Sequence, residues 1–341
     1  MAVPINLRSP RIVTISGSVN DTTKVEIYLW NDPDSVPIKP TYTLDKVVVD
    51  AAVGNVYDIS PYCRRFVNHT AYAPITSDTS MNFNEYANCS LKLYQNGAQL
   101  DVINNFICFD GFGYHSEGVN PEFDHLLASG TYIVNGDAGA SLSYYKNPDY
   151  TWTYQYSALS GSTSLVPFGN TVGYIPLIAS VYNNSTANGN LLEIFRDGIL
   201  VNSYNITRET ECKYEVMECD FVNKFGAWQR ISFFKASKSS FNVNSTEYNL
   251  TPSSTSYNVQ DNVRSGFNFN GNEKISVNSG WVPESYSDSI QQLMLSEKVL
   301  INDVPVLVSS KSIELQKNIS DKNINYKIDF TYSAPKLNYN I

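Results

Sequence analysis

Apolar and polar residues alternate along much of this chain. Residues 11–19 alternate and residues 24–30 do so again, with Val25, Ile27 and Leu29 on one side and Glu26, Tyr28 and Trp30 on the other. A period of two is the mark of a half-buried strand. Asn20-Asp21-Thr22 between these runs reads as a hairpin turn, because Asn and Asp tolerate left-handed backbone angles. Pro33, Pro37 and Pro40 then interrupt the ladder and predict a loop. A short helix is expected within 58–67, with Ser60 as its cap and Pro61 at the first helical position, where a missing N–H costs nothing.

One pattern recurs. Residues 91–100 and 192–201 are each two alternating runs joined by a turn dipeptide, Asn96-Gly97 in the first and Asp197-Gly198 in the second. Both dipeptides suit a type I′ hairpin, whose two central residues need positive φ. A Cys-containing, aromatic and Gly-rich stretch follows each copy, from Cys108 to Tyr114 and from Cys219 to Trp228. The repeat predicts two β-sandwich modules of immunoglobulin or fibronectin type III kind, over 1–118 and 119–235. Residues 157–164 and 182–190 are expected to be long exposed loops of the second module.

The remainder, 236–341, is patterned differently. Phe267 and Phe269 alternate, a turn is expected at Gly271-Asn272, and Ile275 and Val277 alternate after it. Tyr286, Ile290, Leu293 and Met294 then form a helical stripe, with Glu284 and Asp288 near the positive N-terminal end. A hairpin through Asn302-Asp303 follows, with Pro305 suggesting an edge strand. The last run places Ile324, Tyr326, Ile328, Phe330 and Tyr332 on one face. The expected architecture is therefore mainly β: two β-sandwich modules followed by an α+β unit, in which one amphipathic helix lies on an antiparallel sheet.

Composition narrows the functional classes. The 341 residues are long enough for two or three domains. A formal net charge of −9, without Lys/Arg runs interleaved with aromatics, argues against direct nucleic-acid binding. No apolar run is long enough to span a bilayer, and no basic amphipathic stretch suggests a membrane partner. The first residues lack the pattern of a secretory signal, and five scattered cysteines suit reduced, buried thiols better than a disulfide framework. Asn-x-Ser/Thr sequons such as those at Asn68, Asn88, Asn205 and Asn249 are accordingly read as unmodified.

Candidate chemistry is sparse. His69, His115 and His125 are the three histidines, and no G-x-S-x-G elbow or phosphate-binding glycine loop accompanies them. Cys108 and His115, or Cys212 and Cys219, lack the short paired spacing of a structural zinc site, so neither a metal nor a cofactor is expected. Asp110, Glu117, Glu122 and Asp124 offer two carboxylates for glycan hydrolysis, but solvated acids on a Gly/Asn-rich loop explain them more simply. The aromatic run through Tyr144, Tyr145, Tyr150, Trp152, Tyr154 and Tyr156 reads three ways: one face of a core strand, a protein interface, or a platform for sugars. Candidate interface residues are Tyr150, Trp152, Tyr154, Trp228 and Trp281. No residue is assigned to catalysis, and no enzymatic activity is expected.

Four stretches carry a resemblance. They are Cys219-Asp220-Phe221-Val222-Asn223-Lys224-Phe225-Gly226-Ala227-Trp228-Gln229, Asn278-Ser279-Gly280-Trp281-Val282-Pro283-Glu284, Leu293-Met294-Leu295-Ser296-Glu297-Lys298-Val299, and Asn325-Tyr326-Lys327-Ile328-Asp329-Phe330-Thr331-Tyr332-Ser333-Ala334. Together they resemble structural tail or ring proteins of tailed bacteriophages of Bacteroides- and Flavobacterium-like hosts, including the crAss-like phages. The resemblance implies a non-enzymatic virion protein, assembled in the host bacterial cytoplasm as a subunit of a homo-oligomeric ring or tail hub. Its expected partners are copies of itself in a symmetric ring and other tail or neck proteins, closure removing exposed strand edges. A receptor-binding, adhesin-like module that recognises cell-surface glycan is the alternative.

Overall fold

The computed structural model describes the chain except residues 1–2, 32–34, 71, 73–74, 76, 122, 124–130, 136–138, 159–160, 178–189, 210, 252–257, 259, 261–262, 314–322 and 338–341. It is a mainly β protein that divides into two compact units. The first holds 1–210, 220–231 and 285–296, and the second holds 211–219, 232–284 and 297–341.

In the first unit, β1 (Val3–Asn6), β2 (Ile12–Ile15), β3 (Thr22–Trp30), β4 (Tyr42–Val47), β5 (Asn55–Asp58), helix α1 (Ser60–Arg64), β6 (Thr79–Ser80), β7 (Tyr86–Gln95) and β8 (Ala98–Phe109) come first. They are followed by β9 (Thr131–Asn135), β10 (Ala140–Tyr145), β11 (Trp152–Ala158), β12 (Gly161–Ser162), β13 (Val166–Pro167), β14 (Val172–Leu177), β15 (Asn190–Arg196) and β16 (Ile199–Glu209). The strand orders repeat. One sheet runs β1-β8-β7-β3-β4 and its counterpart β9-β16-β15-β11-β12, while β2 pairs with β5 and β10 with β14 in the facing sheets. In each copy the first strand joins the last in parallel, β1 on β8 and β9 on β16, and all other pairings are antiparallel. This is the two-sheet, Greek-key arrangement of an immunoglobulin-like sandwich, made twice.

Each sandwich closes over its own core. Val25, Ile27, Leu29, Leu91 and Leu93 fill the first with Ile5 and Ile15, and Leu142, Ile175, Leu192, Ile194, Tyr204 and Ile206 fill the second. The two turns are as the sequence predicts: Asn96 and Gly97 have φ of 49° and 81°, and Asp197 and Gly198 have 51° and 78°.

Three local expectations change. The turn at Asn20 exists, with φ of 76°, but it carries the chain from one sheet to the other, because β2 pairs with β5 and β3 with β4 and β7. Ser60 is the first residue of α1 instead of its cap, and its Oγ donates to the Ser9 carbonyl at 2.7 Å. Ser157 and Ala158 of β11 pair with Ser162 and Gly161 of β12 where a loop was expected, while 182–189 of the second expected loop lie outside the described residues.

The second unit is built on one long sheet. Its strands are β17 (Met217–Val222), β18 (Trp228–Phe233), β19 (Lys235–Asn249), β20 (Arg264–Pro283), β21 (Val299–Ile301), β22 (Val304–Val308), β23 (Asn323–Tyr332) and β24 (Lys336–Leu337). The order is β18-β17-β21-β22-β23-β20-β19, with β24 also on β20; β17 belongs to this unit up to residue 219 and β18 from residue 232. Ile324, Tyr326, Ile328 and Phe330 are buried on one face of β23, as the alternation predicts. No turn forms at Gly271-Asn272, since β20 runs through it paired with β19 on one side and β23 or β24 on the other. β22 is an inner strand; Pro305 fits because it pairs with Leu300 just before the ladder to β23 begins at Val306. Helix α2 (Ser287–Met294) buries Ile290 and Leu293 as expected, and its residues group with the first unit, so the predicted α+β segment is shared between the two.

Candidate interaction surface

Strands β19 and β20 form a ribbon that exposes both of its faces. All but Lys235 and Ser237 of the fifteen β19 residues are exposed, and so are most of residues 264–269 on β20. Alternating strands normally hide one side. Here Phe241, Val243, Tyr248, Phe267 and Phe269 remain 42–54% exposed. Beyond Asn270, towards Arg264, neither β23 nor β24 pairs with β20, and among the described residues the two strands continue as a pair without a third. Among the described residues β19 is also the edge of the sheet, with a strand neighbour on one side of its backbone only.

Aromatic rings lie along this ribbon in specific places. Phe241 covers Gly271, where any side chain would collide with the ring, and Phe269 covers Gly266, with its ring 2.7 Å from where a Cβ would stand. The two glycines are therefore seats for the rings. Arg264 pairs with Glu247, and Lys336 meets Glu273 at 2.6 Å. Four basic residues and two acidic ones leave β19 and β20 at +2, so the rest of the −9 chain carries −11.

The five candidate interface residues separate sharply. Trp281 is 70% exposed and Tyr150 37%, whereas Trp152, Tyr154 and Trp228 are 2%, 6% and 3% exposed. Trp152 and Tyr154 line the core of the second sandwich with Tyr156. The Trp152 indole N–H donates to the Asn147 carbonyl at 3.0 Å, and burial pushes the Tyr154 hydroxyl above its ordinary pKa. Trp228 packs edge-on against His69, with ring centroids 5.9 Å apart. Only Tyr150 of that aromatic run faces solvent, with the Arg196 guanidinium 4.9 Å from its ring.

Of the four candidate acids, Asp110 and Glu117 are engaged. Asp110 accepts from Arg8 Nε at 3.0 Å, Arg8 Nη2 at 2.8 Å and Arg64 Nε at 2.8 Å. Burial raises its carboxyl pKa, but the hydrogen bond and charge of Arg8, together with Arg64, outweigh this and hold it below the ordinary value. Glu117 caps the backbone N–H of Tyr114 and pairs with Lys224. Glu122, Asp124 and His125 lie outside the described residues. His69 is buried against the Gly226 carbonyl, its Nε2 2.7 Å away. Neither Asp110 nor Glu117 is thus poised as a free acid or base.

The fold also gathers three thiols that sequence spacing keeps apart. Cys89 on β7 stands opposite Phe106, and Cys108 on β8 stands opposite Ala87, which puts both on one sheet face. Cys63 on α1 lies over them, and all three are fully buried. Hydrogen bonds from Cys108 and Cys89 hold the Cys63 thiol well below its ordinary pKa, and burial pushes Cys108 upward. A separate open groove of about 510 Å³, bordered by Thr22, Lys24, Asp45, Lys46 and Tyr94, lies on the first sandwich.

No family model matches the chain, and no curated protein matches it. Among solved structures, it is similar to an I-band fragment of titin and to a three-immunoglobulin titin structure carrying glutamate-to-alanine changes. Each is 10% identical, with a TM-score of 0.18, and the match covers 79% of this chain and 91% of the other. The class defined by the strand order is a protein of tandem immunoglobulin-like sandwiches with an appended β unit. None of the helices among the described residues is long and apolar enough to cross a membrane.

Proposed function

We propose that this protein is a non-enzymatic structural subunit that assembles with copies of itself, as a ring or tail-hub component of a tailed bacteriophage virion. The observation that carries the reading is the β19–β20 ribbon. An isolated two-stranded ribbon is marginal in water, and a long edge strand bearing exposed apolar residues is a template for pairing. Seating the ribbon on a second copy covers Phe241, Val243 and Phe267 and satisfies the β19 edge by strand addition. Charge supports this occupant, since two strands at +2 face a remainder at −11. Trp281, at 70% exposure on the same strand β20, is a further contact residue for neighbouring tail or neck proteins. Glycan recognition has less to draw on, because Trp152, Tyr154 and Tyr156 are core residues and, of that aromatic run, Tyr150 alone remains for stacking.

Mass photometry and negative-stain microscopy of the purified full chain test the reading. Discrete closed multimers are expected. Replacing residues 245–268 by an Asn-Gly turn is expected to leave folded monomers with unchanged far-ultraviolet circular dichroism. A full-length chain that stays monomeric at high concentration, and is missing from purified virions, overturns the proposal.

A further inference from the structure

We propose that Cys63, Cys89 and Cys108 form a closed, three-sulfur site for a soft monovalent metal ion, with Cu(I) as the matching chemistry. The three Sγ atoms lie within 4.8 Å of one another, and those of Cys63 and Cys89 are 3.9 Å apart. Metal–thiolate bonds of about 2.3 Å in a trigonal plane place neighbouring sulfurs about 4 Å apart, so the ion fits with little rearrangement.

The surroundings choose among metals. The cores of β3, β7 and β8 enclose the thiols with Val25, Ile27, Leu29 and Leu91, and no histidine or carboxylate joins the cluster among the described residues. Structural zinc wants four ligands and catalytic zinc an open position with water. A fully buried site with three sulfurs supplies neither, whereas Cu(I) is soft and accepts few ligands. As each Cu–S bond forms, the sulfur gives up to solvent any proton it carries, so apparent affinity rises with pH. Because all three side chains are fully buried, loading accompanies folding or a transient opening of α1.

The position of each ligand also argues for a built cluster. Cys63 comes from a helix, Cys89 and Cys108 from paired strands, and the register sets the last two diagonally on one face. The alternative is that the three thiols merely fill space as small apolar groups.

The test uses the full chain, reduced and held without oxygen. It is titrated with Cu(I) buffered by a chromophoric chelator, both in the native state and during refolding, and the product is examined by X-ray absorption. One Cu(I) per chain in a sulfur-only shell is expected. Cys63→Ala, Cys89→Ala and Cys108→Ala each lose at least tenfold in affinity, while Cys212→Ala, which changes an exposed thiol, does not. Should a core variant fail to fold, the wild-type melting temperature decides: Cu(I) raises it equally in wild type and Cys212→Ala. No binding by native or refolded chain, binding retained in folded Cys63→Ala, or a shell containing nitrogen or oxygen overturns the assignment.

Discussion

The rings of Tyr248 and Phe267 meet edge to face across the distal ribbon, with centroids 5.6 Å apart, while each residue stays about half exposed. This contact bridges the two strands where, among the described residues, no third strand accompanies them. Tyr248→Ser with Phe267→Ser is expected to change the urea midpoint of the monomer little, within about 0.5 kcal/mol, as for other surface positions. Assembly is expected to weaken at least tenfold, read as a rise in the concentration at which multimers appear by mass photometry.

Arg230 grips Asp220 with two parallel hydrogen bonds, Nε to Oδ1 at 2.7 Å and Nη2 to Oδ2 at 2.8 Å, and the Asp220 side chain is fully buried. Tyr72 lies 4.9 Å from the guanidinium and completes its enclosure. Breaking such a pair from one side strands a buried charge, so Arg230→Gln is expected to cost about 3–5 kcal/mol in chemical denaturation. Changing both partners, with Asp220→Asn added, is expected to cost less than the two single changes together, with a coupling of about 2 kcal/mol. Additive costs would show that the pair does not act as a unit.

Asp110 has a depressed folded-state pKa because Arg8 and Arg64 hold its charge. Its contribution is therefore fully present above the ordinary carboxylate value of 3.8 and is lost as pH falls through the lower folded-state value. Urea denaturation of wild type between pH 7 and pH 3 is expected to show stability falling at the acid end. Asp110→Asn should be less stable at neutral pH and show a shallower fall. An unchanged acid slope in that variant counts against the ion pairs.

Gly97 and Gly226 both have left-handed backbones, with φ of 81° and 78°, but differ in what surrounds them. Nothing stands within 4 Å of a Cβ at Gly97, while at Gly226 it would sit 2.5 Å from the backbone nitrogen of Asp110. Gly97→Ala is expected to cost about 1 kcal/mol, the backbone penalty alone. Gly226→Ala adds a collision with main chain that cannot rotate away, and about 3 kcal/mol or more is expected. Thermal melts of the two variants check the difference.

Local chemistry made much of the fold legible. Asn96-Gly97, Asp197-Gly198 and Asn302-Asp303 all adopt the positive φ that their residue types permit. The alternation over 323–332 and the stripe through Ile290 and Leu293 match the faces that are buried. Each of these signals depends on residues within one turn or strand. The repeat of the Asn-Gly and Asp-Gly hairpins likewise marked out two sandwiches with matching strand order.

Partner choice was another matter, because it is settled between residues far apart in the chain. Alternation does not say that β2 pairs with β5, or that β20 runs through Gly271-Asn272 beside β19, with β24 on its other side at Gly271. Aromatic parity alone did not separate buried Trp152 from exposed Tyr150, nor Trp228 from Trp281. By itself the sequence determined the alternating strands, the Asn96-Gly97, Asp197-Gly198 and Asn302-Asp303 turns and the amphipathic helix, since those follow from backbone preference and the side-chain period. Only the tertiary structure decided which edges stay unpaired and that Cys63, Cys89 and Cys108 converge, because strand register brings together residues that local spacing cannot.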